Sequence, residues 1–148
     1  MTTVNSSNNL INCILPMLIR QISVFLENEK GKFAEIARLL GNNGINMKAF
    51  TVSETEDFGI ARIIVEREQI ERAFNLIKAN SYAVTMTKVV YLECGNVPGA
   101  MADAMERLSA AGISVEYMYA FADSSSEFSR VIIRPDNIEL ANQIIQEL

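Results

Sequence analysis

The residues best suited to chemistry stand in Asn96-Val97-Pro98-Gly99-Ala100-Met101, and again in Asn28-Glu29-Lys30-Gly31-Lys32. Each stretch is read as a loop that opens a helix. A helix start presents unpaired backbone N–H groups and a partial positive charge, which suit a carboxylate. Gly99 and Gly31 have no Cβ, so a ligand can approach the backbone. Pro98 fixes φ at a position where its missing donor costs little. Asn96 and Asn28 can either cap the helix or hydrogen-bond a ligand. The same loop with nothing bound is a well-made helix start.

Other residue types exclude more than they suggest. The 148-residue chain has no histidine, which removes the commonest general base and the commonest transition-metal ligand together. Cys13 and Cys94 share no motif and are read as buried reduced thiols of a cytoplasmic protein. The turn carboxylates Glu27, Glu29, Glu54, Glu56 and Asp57 have no recognisable metal-ligand spacing. No catalytic residue, metal site or cofactor is expected. A net charge of −5 without a basic run argues against nucleic acid and anionic membranes as partners. The first sixteen residues carry no charge, and their apolar run is too short to cross a bilayer. Residues 1–17 are therefore read as a flexible arm, with an added edge strand as the rival reading.

The elements that must position the two loops come from one repeated plan. Ile22, Val24 and Leu26 alternate as a strand does, Phe33, Ile36, Ala37 and Leu40 fall at helical spacing, and Gly44 ends that helix. Strands from Ile45 and Phe58, a helix from Ile70 and a strand from Tyr82 complete a β-α-β-β-α-β order. The second copy keeps a single offset: 96 − 28, 99 − 31, 112 − 44 and 130 − 62 are all 68. The fold class is α+β, two ferredoxin-like βαββαβ repeats over 18–88 and 89–148, each an antiparallel sheet with helices on one face. Leu148 aligns with Asn80, since 148 − 80 is 68, so the second repeat lacks its last strand. Its first strand then has an open edge, for a neighbouring copy, a partner chain or the N-terminal arm to cover.

A βαββαβ unit whose first loop reads Asn-x-Pro-Gly, before an amphipathic helix and a Gly-Ile strand start, resembles the ACT domain. The passages Phe25-Leu26-Glu27-Asn28, Asp57-Phe58-Gly59-Ile60, Asn96-Val97-Pro98-Gly99 and Val115-Glu116-Tyr117-Met118-Tyr119 are similar to stand-alone bacterial proteins built of two ACT domains. In the first loop Lys30 stands where proline is usual, which leaves that loop less rigid. The resemblance implies a regulatory protein, not an enzyme, that binds a free amino acid or similar small carboxylate at these loops, between the loop of one domain and the sheet of its neighbour. It also implies a homodimer and a partner enzyme of amino-acid metabolism. The competing expectation is a non-binding oligomerisation module of a larger regulatory assembly.

Overall fold

The computed structural model describes residues 13–27, 29–55, 57–122 and 127–147. They fall into two compact units: Arg20–Thr87, and Lys88 onward together with the N-terminal segment through Ile19. Among the described residues no helix is long and apolar enough to cross a membrane.

In the first unit, β1 (Cys13–Glu27) leads to α1 (Lys32–Asn42), β2 (Ala49–Glu54), β3 (Phe58–Ile64) and α2 (Ile70–Ala79), and β4 (Ala83–Gly95) begins here. β1 pairs antiparallel with β3, Val24 opposite Ala61, and β2 pairs with the other edge of β3, Phe50 opposite Ile63. Side chains alternate along a strand, so Ile22, Val24 and Leu26 face the helices and are at most 6% exposed. They meet Ile36 and Leu40 of α1 and Ala73 and Ile77 of α2 in one core. Each large aliphatic side chain buried there stabilises the fold by roughly 1.5–3 kcal/mol. Polar groups that are buried need partners. Gln21, fully buried, donates from Nε2 to Ser23 Oγ at 2.9 Å, and Ser23 Oγ lies 2.9 Å from Thr87 Oγ1.

The sequence predicts a second strand from Ile45, but β2 begins at Ala49. Gly44 turns the chain with φ 71°, and the Ile45 N–H then closes the helix end on the Leu40 carbonyl at 2.9 Å. Ile45 therefore belongs to the helix stop, with its side chain buried in the core.

In the second unit, β4 runs into α3 (Ala100–Ala110), β5 (Val115–Ala120), β6 (Phe128–Pro135) and α4 (Ile138–Gln146). Leu92 of β4 sits opposite Val131 of β6, and Met118 of β5 opposite Ile133. The core repeats the first at the same spacing: Leu92, Leu108, Ala141 and Ile145 are buried where Val24, Leu40, Ala73 and Ile77 are, each 68 later. The helix stop repeats too, with Gly112 at φ 76° and the Ile113 N–H on the Leu108 carbonyl at 3.0 Å. Asn137 caps α4, its Oδ1 accepting from the Leu140 N–H at 3.2 Å. Cys94 stands where the first copy has Leu26 (94 − 26 is 68), fully buried. Its sulfur is in a disulfide, which corrects the reading of a reduced thiol.

The arm behaves differently from the expectation. Residues 1–12 lie outside the described residues, but 13–17 are the first part of β1. β1 is the sheet neighbour of β4, and residues up to Ile19 belong to the second unit. An unpaired strand edge leaves its backbone groups without partners. The stretch ahead of Arg20 is uncharged and largely apolar, and only Pro16 in it lacks a backbone donor, which suits it to a strand.

Candidate functional site

Both loops turn into their helices through a glycine in the left-handed conformation. Gly31 (φ 86°) is the N-cap of α1 and Gly99 (φ 88°) that of α3. A Cβ built on either glycine would meet nothing within 4 Å, so the space over each is open. The glycines are set by the backbone angle, not by crowding.

Neither helix has a side-chain cap. Of the two roles open to Asn96, a cap or a ligand contact, the N-cap position itself is held by Gly99. The Asn96 N–H donates to the Glu127 carbonyl at 2.8 Å, and its Oδ1 lies 3.5 Å from the donating Ser129 hydroxyl, which ties the loop to the start of β6. Asn28 lies outside the described residues. A glycine cap has no side chain of its own to offer the first-turn amides that follow it.

The other predicted loop residues divide. Val97 is 51% exposed and Pro98 is exposed, whereas Ala100 is buried and Met101 packs against the core of the second unit. The side chains of Ala100 and Met101 thus serve the core and only their backbone faces the loop. In the first loop the Glu29 N–H closes a tight turn on the Glu27 carbonyl at 2.7 Å, and Lys30 is exposed. Lys32 is half-buried, with Nζ 3.6 Å from the Glu29 carboxylate and 3.8 Å from that of Glu35.

A cavity of about 600 Å³ opens beside this first loop. Its walls include Glu27 and Lys32 from the loop, Glu35 from α1, Asp57 and Phe58 from the β2–β3 hairpin, and Tyr82 ahead of β4. The Tyr82 hydroxyl donates to Glu35 Oε2 and so closes one side. Burial, that hydrogen bond and the charges of Glu35 and Glu27 push the Tyr82 phenol up to about 12. Phe25 and Phe58, 43% and 40% exposed, bring their rings to 6.1 Å on the rim.

Sequence reasoning named Glu29 to Lys32 but left out Asp57, Phe58 and Tyr82. The signal was present in the topology. In a βαββαβ unit the first loop, the hairpin and the turn before the fourth strand share one end of the sheet. Glu54–Asp57 and Asn80-Ser81 were legible as those turns.

A second cluster lies in the C-terminal unit. Tyr91 and Phe121 meet edge-to-face at 5.5 Å, the Arg130 guanidinium sits 5.7 Å over the Phe121 ring, and the Tyr91 hydroxyl donates to Glu93 at 2.8 Å. Burial, then the Glu93 contact, raises the Tyr91 phenol to about 12. Arg62, at the matched position, donates to Ser53 Oγ at 3.2 Å. Among the described residues no group of three or more His, Cys, Asp or Glu is placed to hold a metal.

The chain is similar to several known proteins. The family described as an ACT domain pair matches residues 17–148. The crystal structure of protein BT0572 from Bacteroides thetaiotaomicron is 38% identical, covers 89% of each chain and superposes with a TM-score of 0.80. The ligand-free regulatory subunit of aspartate kinase from Thermus thermophilus shares the fold, with a TM-score of 0.62 at 15% identity over 88% of this chain and 96% of that one. An acetolactate synthase small subunit from Buchnera aphidicola is 36% identical over 47 residues, which is 32% of this chain and 30% of that relative.

Proposed function

Starting from a chain that belongs to the ACT domain pair family, we propose that it is a regulatory binding protein for a free amino acid or similar small carboxylate, held at the β1–α1 and β4–α3 loops. The observation that carries the reading is the matched pair of helix starts. Each has a left-handed glycine as its N-cap, with open space above that glycine and the backbone amides of a helix first turn directly after it. Such amides recognise an anion without a lysine or arginine. Among the described residues of the two loops none is a nucleophile paired with a base, which supports a binding role. The residues assigned are Glu29, Lys30, Gly31 and Lys32 with Asn28 in the first loop, and Asn96 to Met101 in the second.

The reading extends to assembly. The edge strand β2 shows Phe50 and Val52 at 42% and 41% exposure, and a second copy of the chain would cover such a strip, giving a homodimer. A ligand that favours one assembled state shifts the equilibrium by its difference in affinity for the two states, which makes the output regulatory. The likeness to an acetolactate synthase small subunit supports a partner enzyme of amino-acid metabolism as the recipient.

A thermal-shift screen against the twenty amino acids tests this. A ligand at one hundred times its dissociation constant stabilises the folded state by about 2.7 kcal/mol. Folded protein whose melting none of them moves would refute amino-acid binding and leave an oligomerisation module.

A further inference from the structure

We propose that the cavity beside the first loop selects an amino acid with a positively charged side chain; this rests on the amino-acid reading above and adds the ligand class. The argument is one of charge. Three carboxylates, Glu27, Glu35 and Asp57, and one ammonium, Lys32, line the cavity, a balance of −2. Glu35 is already engaged by the Tyr82 hydroxyl and by Lys32. Among the described residues neither Glu27 nor Asp57 is in an ion pair. A neutral amino acid brings one ammonium and one carboxylate, and leaves the excess negative charge uncompensated. A basic amino acid brings a second cation to it, while its carboxylate meets Lys32 and the first-turn amides of α1.

The apolar part of the wall suits the same ligand. The Phe25 and Phe58 rings stand on the rim beside the carboxylates, Glu27 directly opposite Phe58 in the β1–β3 register. Exposed ring faces attract an ammonium or guanidinium and cover the methylene stem that carries it. A cavity of about 600 Å³ is in the range that encloses a small molecule.

The selectivity belongs to the first copy. Sixty-eight residues on from Glu27 and Lys32 stand Gly95 and Ala100, since 95 − 27 and 100 − 32 are both 68, and Phe25 is matched by Glu93. The second copy keeps the glycine, has neither the Glu27 nor the Lys32 charge, keeps a carboxylate at Asp103 for Glu35 (103 − 35 is 68), and has Glu93 in place of the ring. The two copies share a way of holding a carboxylate and differ in what they read beside it.

Isothermal titration of the full chain decides the matter, with lysine, ornithine and arginine against leucine and aspartate, and with 1,5-diaminopentane as a cation without a carboxylate. The expected result is that a basic amino acid binds at least tenfold more tightly than leucine or aspartate. The double variant Glu27→Gln/Asp57→Asn should erase that preference. Both positions are exposed, and circular dichroism and melting confirm that the variant folds. Tightest binding of leucine or aspartate, or a basic preference untouched by the double variant, overturns this proposal while the amino-acid reading stands. Diamine binding as tight as lysine overturns both, because the carboxylate is then not read. No binding by any compound also overturns both.

Discussion

Gly31, Gly99 and Gly41 let one added methyl group separate backbone conformation from packing. A Cβ at any of the three meets nothing within 4 Å, so Gly→Ala creates no clash. At Gly31 and Gly99 the backbone holds φ 86° and 88°, where an L-residue brings Cβ against its own carbonyl, at about 1–2 kcal/mol. Gly41 lies inside α1 at helical φ, where alanine restricts the unfolded chain and stabilises by about 0.5–1 kcal/mol. The same substitution should therefore change sign: Gly99→Ala and Gly31→Ala lose stability, Gly41→Ala gains it, and the gap is about 1.5–3 kcal/mol. Urea unfolding with a common slope reads these differences directly. Gly99→Asn should recover part of the loss, because asparagine tolerates the left-handed region better than alanine. Wild-type stability in Gly99→Ala would refute the claim that backbone conformation dictates glycine at the helix starts. Equal losses at Gly99 and Gly41 would refute it too.

Three further outcomes follow from other parts of the molecule. Ile36→Ala writes the second copy's Ala104 into the first core, and loss of a fully buried side chain should cost about 2–5 kcal/mol in urea unfolding. Asn137→Ala removes the cap of α4 and should cost about 1 kcal/mol, whereas Arg20→Ala breaks only an exposed 2.6 Å pair with Glu71 and should stay within about 0.5 kcal/mol. In alkali, Tyr82 and Tyr91 have folded-state values near 12 against an ordinary 10.0, so the unfolded chain loses these protons first. Their contribution is complete below pH about 10 and is lost as pH rises to about 12; tyrosinate absorbance should show a late step for Tyr82 and Tyr91 whose amplitude falls in Tyr82→Phe.

Much of the fold was legible because the chain states it twice. The 68-residue offset ties Leu40 to Leu108 and Gly44 to Gly112, and each pair has the same burial and the same helix stop. Less legible was anything requiring partners distant in the chain. The uncharged N-terminus has the composition of an arm, and only the open edge of β4 makes a strand of residues 13–19. The cavity wall was hidden for a related reason. Asp57 and Tyr82 are ordinary turn residues locally, and become neighbours of the first loop only through strand order. Asn96 is a further case: its type and place leave a cap or a ligand contact open, and its neighbour Ser129 in β6 comes only from strand order.

The division of β1 between the units bears on the order in which the molecule assembles. Arg20–Thr87 is a continuous stretch and holds every contact its own core requires, so it can close while the rest of the chain is still being synthesised. The second unit takes residues 13–19 from one end and everything from Lys88 from the other, so its two pieces are separated by at least 69 residues, 88 − 19. Loop closure over that distance is slow when the chain between is loose and much easier once its ends are held near each other. Folding of the first unit would bring the end of β1 and the start of β4 together, since Arg20–Glu27 and Ala83–Thr87 both belong to it, and so shorten the loop that the second unit has to close.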